Sequence, residues 1–139
     1  MTLQVELAVP EGELWAGQAA LVIAKTLDGD IGVLTGHSPV LGILAEGSMV
    51  RIRTESGTDG AASGDEVVAA VSGGFFSVAD DRVSILARQA QLGGEVDTTA
   101  ARAALDEALQ TAEGASEEPA DVRYFRALLR AAGEPADGA

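Results

Sequence analysis

The sequence has 139 residues, which suits one domain of common size with an additional segment. Hydrophobic residues make up 47% of the chain but aromatic residues only 4%, so we expect a core of aliphatic side chains. Twenty-two acidic and nine basic residues give a formal net charge of −13, which argues against nucleic acids and anionic membrane surfaces as direct partners. Without cysteine, the chain has no disulfide, no thiolate metal site and no cysteine nucleophile.

The N-terminal residues lack the basic start and the apolar run of a signal peptide. No stretch approaches the ~20 apolar residues that span a bilayer. We therefore expect a soluble protein without direct membrane insertion, for which any link to a membrane comes through a partner.

The first part of the chain has the pattern of short β-strands. Aliphatic residues alternate with other residues over positions 3–9, which places one face of that strand in a core. Residues 10–17, which include Trp15, predict a turn region, and the β-prone residues 19–27 predict the next strand. Further strands are predicted at residues 49–54, 67–71, 75–78 and 83–86. Many short strands with glycine-rich turns favour an antiparallel sandwich or barrel.

The composition changes towards helix formers after Arg88, where alanine becomes frequent. Asp97 and the two threonines that follow are N-cap types ahead of an amphipathic stripe, and a break near Ser116 predicts a second, antiparallel helix. A glycine-, serine- and aspartate-rich segment between the strands predicts a surface loop. The predicted organisation is a β-sandwich domain at 1–88, a linker at 89–96, a two-helix hairpin at 97–133, a frayed tail at 134–139 and a loop at 54–66.

Candidate catalytic residues are few. His37 is the only histidine and precedes Ser38, which suggests a base and a nucleophile. Adjacent residues on an extended segment point to opposite sides, however, and the segment has the composition of a turn, so a structural or interface role is favoured. The glycines of residues 29–42 lack the spacing of a phosphate-binding loop, and Gly73-Gly74 predicts a bulge or a sharp hairpin. The sequence therefore predicts no enzymatic activity, no cofactor and no metal site.

Three arginines form a row on the second predicted helix. Arg123, Arg126 and Arg130 are spaced by three and four residues, which places them on one helical face. Like charges repel, so this arginine row requires acidic partners, either within the chain, such as acids of the first helix, or on another protein. Both explanations remain open at this point.

Two segments resemble the epsilon subunits of F-type ATP synthases. Residues 29–41 read Gly-Asp-Ile-Gly-Val-Leu-Thr-Gly-His-Ser-Pro-Val-Leu, similar to the family segment in which acid-apolar-Gly-apolar runs into Pro/Thr-Gly-His-x-Pro-Leu. Residues 72–78 read Ser-Gly-Gly-Phe-Phe-Ser-Val and, with the strand at 82–87, resemble the second family signature. The resemblance covers about residues 3–132. It implies a sandwich of about ten antiparallel strands followed by a helical hairpin.

The resemblance also implies a function. It is that of a non-catalytic central-stalk subunit of the proton-translocating ATP synthase, which couples rotation of the c-subunit ring to the catalytic head. The implied partners are the gamma subunit, the c-ring and the beta subunit, at the cytoplasmic face of the bacterial plasma membrane. By that similarity Asp30, Ile31, His37 and Ser38 lie on the c-ring side. The alternative is a free-standing β-sandwich ligand-binding domain.

The hairpin carries two further implications from the family. Many members use it to inhibit ATP hydrolysis, with basic residues facing the beta subunit, and the arginine row would take that role. The second helix ends near Ala132, earlier than in strongly inhibiting members, so we expect weaker inhibition. Some members bind ATP through Ile/Leu-Asp-x-x-Arg-Ala, of which Asp97 is kept while Ala100 replaces the arginine. That replacement removes a bidentate phosphate partner, so we expect no nucleotide binding.

Overall fold

A computed structural model describes residues 2–54, 66–114 and 118–134. The predicted loop at 54–66 falls almost entirely outside these residues, as do Ser116 in the predicted helix break and nearly all of the predicted tail. Within the described residues there are seven strands, one short 3-10 turn at Gly93–Glu95 and two α-helices. These are β1 (Leu3–Val9), β2 (Gly12–Thr26), β3 (Gly29–Val33), β4 (Val40–Ile43), β5 (Glu46–Thr54), β6 (Glu66–Ala79), β7 (Arg82–Leu92), α1 (Thr98–Thr111) and α2 (Ala120–Ala131).

The strands form a closed, two-layered sandwich. Their order is β1-β7-β6-β5-β2-β3, with β4 paired to β6. Strand β1 pairs in parallel with β7 and antiparallel with β2, so β1, β7, β6, β5 and β2 form a closed ring, and β3 pairs with β2 outside it. The predicted β-sandwich followed by two helices is thus confirmed.

The strand number differs from the expected ten, and one of the pairings is parallel. The described residues contain seven strands because β2 and β6 are long and change partners along their length. Strand β2 pairs first with β1 and then with β3 and β5, while β6 pairs with β5 and then with β4. Each long strand therefore takes the place of two short strands in the pairing of the sheet.

Several predicted boundaries also differ. The expected turn region around Trp15 belongs to β2, which begins at Gly12. Strand β7 continues to Leu92, so the first four residues of the expected linker are strand. Strand β6 runs through Gly73 and Gly74 in unbroken register with β7, rather than bulging or turning there. Both glycines have positive φ. A Cβ on Gly74 would lie 2.7 Å from the Ala87 Cα, so close backbone approach requires glycine there, whereas a Cβ on Gly73 would meet the Arg88 side chain.

The sandwich core is aliphatic, as the composition suggested. The alternation in β1 buries Leu3, Val5 and Leu7 almost completely. Phe76 is the one aromatic side chain among the fully buried core residues of the sandwich. The consistent period of two explains why this face of the strand was predictable from sequence.

The hairpin packs on the outer face of β5 and β6. Ala69 and Ala70 are neighbours on β6, and Ala69 faces the sandwich core while Ala70 faces a second apolar cluster shared with both helices. Helix α2 lies against the sheet and α1 packs on α2. Two glycines permit this approach: a Cβ on Gly47 would lie 2.7 Å from the Tyr124 backbone nitrogen, and one on Gly93 would meet the α2 backbone similarly. Neither helix of the described residues combines the length and apolar character needed to cross a membrane.

Candidate functional site

An exposed apolar row crosses three neighbouring strands. Leu41, Ile43, Phe75 and Leu86 are 72%, 52%, 56% and 50% exposed, although each sits in a regular strand. Ile43 lies opposite Phe75 across β4 and β6, and Phe75 lies opposite Leu86 across β6 and β7. Cross-strand neighbours share a sheet face, so these side chains form one patch, which we call the apolar row. A contiguous exposed apolar patch is typical of a protein-protein contact.

The local sequence explains why the row faces outward. Successive side chains of a strand point to opposite faces, so Phe76 enters the core while Phe75 remains at the surface. The register of β6 against β7 is continuous from Ala69 to Ala79, which fixes Phe75 beside Leu86. A one-residue slip would bury the row and expose the core, so the fold specifies this surface strongly.

The segment around His37 is held to the turn between β6 and β7. The Gly36 backbone nitrogen donates to the Asp81 carboxylate at 2.7 Å, and Asp81 has a positive φ in that turn. His37 Nδ1 lies 2.7 Å from the carbonyl oxygen of Ser38, so its described hydrogen bond goes to the backbone and not to the serine hydroxyl. Ser38 is exposed, and Leu34 beside it is 60% exposed. This geometry favours an anchored surface loop over a catalytic pair.

Asp30 and Ile31 lie in a different setting. Asp30 is exposed and sits opposite Lys25 in the β2–β3 hairpin, whereas Ile31 is half-buried against the sandwich core. Thr26 Oγ1 donates to the Gly29 carbonyl at 2.8 Å and ties the hairpin tip. The expected c-ring residues therefore divide into this hairpin and the loop that carries His37.

The arginine row has acidic partners within the chain. Arg123 lies 3.6 Å from Glu46 on β5, and Glu46 also accepts a 2.5 Å hydrogen bond from Arg88 on β7. Arg126 pairs with Glu118, just ahead of α2. These acids lie on the sheet and beside α2 rather than on the first helix, where partners were suggested. The Arg126 Nε is buried and has no hydrogen-bond partner among the described residues.

A groove of about 930 Å³ lies between α2 and the sheet, and we call it the cationic groove. All nine basic residues of the chain lie in the described ranges, and six of them line this groove. Three acidic residues also line it, so its walls carry a surplus of three positive charges in a chain of net charge −13. The six basic residues are Lys25, Arg51, Arg88, Arg123, Arg126 and Arg130.

Asp97 has a structural function in the first helix. Its carboxylate accepts a 3.0 Å hydrogen bond from the Ala100 backbone nitrogen, which caps α1. Ala100 is exposed and presents only a methyl group to solvent. Within the described ranges, no group of three or more histidine, cysteine or acidic residues could hold a metal ion.

A sandwich with an exposed apolar row and a docked helical pair defines a module built to contact other proteins. Comparison with known families places it further: residues 2–93 match the family "ATP synthase, Delta/Epsilon chain, beta-sandwich domain", and this chain belongs to that family. The resemblance noted from the two sequence signatures is thereby confirmed.

Curated relatives support the same assignment over nearly the whole chain. The ATP synthase epsilon chain of Thermobifida fusca is 53% identical over 131 residues, covering 94% of this chain and 91% of the relative. The ATP synthase epsilon chain of Streptomyces griseus is 45% identical over 128 residues, covering 92% and 97%. That of Rhodococcus opacus is 49% identical over 105 residues, covering 76% and 80%.

Two solved structures share the fold. A chain of the Euglena gracilis mitochondrial ATP synthase, in a structure of OSCP, F1 and the c-ring, matches with a TM-score of 0.74 and 24% identity, covering 94% of this chain and 81% of that one. A chain of the Tetrahymena thermophila mitochondrial central stalk and c-ring matches with a TM-score of 0.55 and 19% identity, covering 90% and 94%. These findings support the ATP synthase interpretation and not a free-standing ligand-binding domain.

Proposed function

We propose that this chain is the non-catalytic epsilon subunit of an F-type, proton-translocating ATP synthase. In this role it belongs to the central stalk and couples rotation of the c-ring to the catalytic head. The observation that carries the proposal is the apolar row, because four large apolar side chains at least half exposed on a rigid sheet require a partner to cover them. Membership of the delta/epsilon family names the assembly that supplies this partner.

The gamma subunit is the partner proposed for the apolar row. The structural neighbours come from complexes that contain F1, the central stalk and the c-ring, which supports a place between shaft and rotor. A flat sheet face suits such a contact, since side chains fixed by strand pairing lose little conformational entropy on binding. The chain supplies no chemistry in this proposal and transmits torque as a rigid piece.

The c-ring contact is proposed at two surface loops. Asp30 at the β2–β3 hairpin and the exposed loop with Leu34, His37 and Ser38 present polar groups with one apolar side chain. Ile31 supports the hairpin from within, because its side chain packs against the sandwich core. The resulting location is peripheral, at the cytoplasmic face of the bacterial plasma membrane.

The hairpin is proposed to act as a weak inhibitor of ATP hydrolysis. In the docked arrangement Arg123 and Arg126 are engaged with Glu46 and Glu118, so contact with an acidic segment of the beta subunit requires these pairs to open. Helix α2 has 12 residues, about 18 Å of helix, which limits its reach along a shaft. Both features favour weak inhibition.

The test is capture of the gamma subunit by purified chains. We expect the native chain to retain gamma, and the double variant Phe75→Gln/Leu86→Gln to lose it, because the row becomes polar at two adjacent positions. Leu109→Gln is the matched control, since Leu109 is 38% exposed on α1 and lies outside the row. Equal retention by the double variant would refute the assignment of this surface, and failure of the native chain to bind gamma would refute the proposed function.

A further inference from the structure

The cationic groove is unlike the rest of this acidic chain. Its basic residues come from distant parts of the sequence: Arg51 from β5, Arg88 from β7 and the arginine row from α2. Arg88 lies over Gly73, where a Cβ would be 2.8 Å from the guanidinium carbon, so the missing side chain lets Arg88 turn towards the groove. The fold therefore concentrates positive charge at one place.

The ion pairs of the groove are open to replacement. The Arg88 and Arg123 side chains are 67% and 44% exposed, and both share the single carboxylate of Glu46. Exposed pairs of this kind hold weakly, so incoming carboxylates can take the place of Glu46. Arg126 adds a buried Nε without a hydrogen-bond partner among the described residues.

The groove is also continuous with the apolar row. Ile43 and Phe75 belong to both surfaces, and Leu27 adds a third exposed apolar side chain to the groove wall. A compact inorganic anion would leave these apolar walls and most of the 930 Å³ unused. An extended segment with acidic and apolar side chains matches both walls.

We propose that the cationic groove receives an acidic, partly apolar segment of the same protein that covers the apolar row. Its carboxylates pair with Arg51, Arg88 and the arginine row, and its apolar side chains continue the contact from Phe75 into the groove. The inference rests on the proposed function, in which that protein is the gamma subunit.

This arrangement links partner binding to the position of the hairpin. One wall of the groove is the sheet and the other is α2, so the site is complete only while α2 is docked. By reciprocity, a segment bound in the groove stabilises the docked hairpin as much as docking strengthens the segment's binding. Binding of the gamma subunit then favours the docked hairpin over the released one.

The test compares the affinity for gamma of full-length chains that differ only in charge. Arg51→Gln/Arg88→Gln removes two of the three positive charges on the sheet wall, where Lys25 remains, and leaves the arginine row intact, while Arg53→Gln/Arg82→Gln removes the same charge outside the groove. We expect the groove variant to bind gamma about threefold to tenfold more weakly at low salt, with the difference closing at high salt, and the control to match the native chain. Bound gamma should also slow hydrogen exchange of the α2 amides in the native chain more than in the groove variant.

Equal affinity of the groove variant and the native chain at low salt would overturn the inference. If the groove variant then loses only binding of inorganic pyrophosphate, the groove is a site for small anions and the inference is equally overturned. Loss of gamma binding in Phe75→Gln/Leu86→Gln with full binding in the groove variant would leave the proposed function standing and refute this inference alone. A native chain that fails to bind gamma would refute both.

Discussion

Replacing Gly47 by alanine should release α2 from the sheet without unfolding the sandwich. Gly47 lies in β5 with φ +65°, and its missing side chain faces the α2 backbone. A Cβ there would lie 2.7 Å from the Tyr124 backbone nitrogen and closer still to Arg123. Both atoms belong to the helix backbone or its Cβ position, so no rotamer change relieves the clash.

The magnitude follows from two contributions. A positive φ costs an alanine about 1–2 kcal/mol, and overpacking a well-packed contact costs about 1–3 kcal/mol. Gly36→Ala is the matched control, because Gly36 has φ +83° and nothing within 4 Å of its Cβ position. Gly36→Ala therefore includes only the cost of the positive φ and not the cost of overpacking. The difference of about 1–3 kcal/mol corresponds to a docking equilibrium about 5- to 150-fold less favourable.

The assay is hydrogen exchange of backbone amides in α2 and in the central strands. We expect Gly47→Ala to accelerate exchange throughout α2 while β6 stays protected, because undocking removes the clash and leaves the sandwich core intact. In Gly36→Ala the α2 amides should exchange as in the native chain. The reasoning is refuted if both variants accelerate α2 equally, or if protection of β6 falls together with that of α2.

Four further predictions test other parts of the molecule. Asp97→Ala should destabilise α1 by about 1 kcal/mol because it removes the N-cap, whereas Asp97→Asn should keep most of it, and equal exchange of the α1 amides in both variants would contradict the capping function. Burial raises the pKa of Tyr124, so the unfolded chain loses this proton more readily, and stability should fall as the pH rises above about 10. Urea unfolding at pH values below and above about 10 should show that the free energy of unfolding falls less steeply with pH in Tyr124→Phe than in the native chain. An equal fall in both chains would contradict this prediction. A cysteine at Asp30 should crosslink to a polar loop of the c subunit in the assembled enzyme, and its failure despite normal assembly would argue against that contact. Calorimetry with the isolated chain should detect no micromolar ATP binding, since Ala100 lacks the guanidinium, and a micromolar dissociation constant would overturn this expectation.

The parts of the fold that the sequence predicts are those that depend on residues close together along the chain. The alternation through Leu3, Val5 and Leu7 marks a strand face because it depends only on the pleat of the chain. Asp97 marks a helix start for a similar reason, since its capping bond spans three residues. The short strands β3 and β4 escaped prediction because their glycines weaken strand propensity, and β4 in addition pairs with β6, which is distant along the chain.

The interaction surfaces were less accessible to sequence reasoning. The arginine row was visible from its helical spacing, but Glu46, which pairs with Arg123, lies on a strand far away in the sequence. Arg51 and Arg88 join the row only through the docking of α2 on the sheet. The two phenylalanines at 75–76 identify a strand, yet which of them faces outward depends on the register with β7.

The double pairing of β1 has a consequence for the order in which the molecule forms. Strand β1 is synthesised before the other described strands, and its parallel neighbour consists of residues 82–86, which are made much later. The hairpin with β2 can form early, whereas the sandwich can close only after β7 has emerged, and such distant pairing slows folding. During synthesis β1 therefore keeps one open edge, and its polar outward residues, Gln4 and Glu6, protect that edge from pairing with other nascent chains.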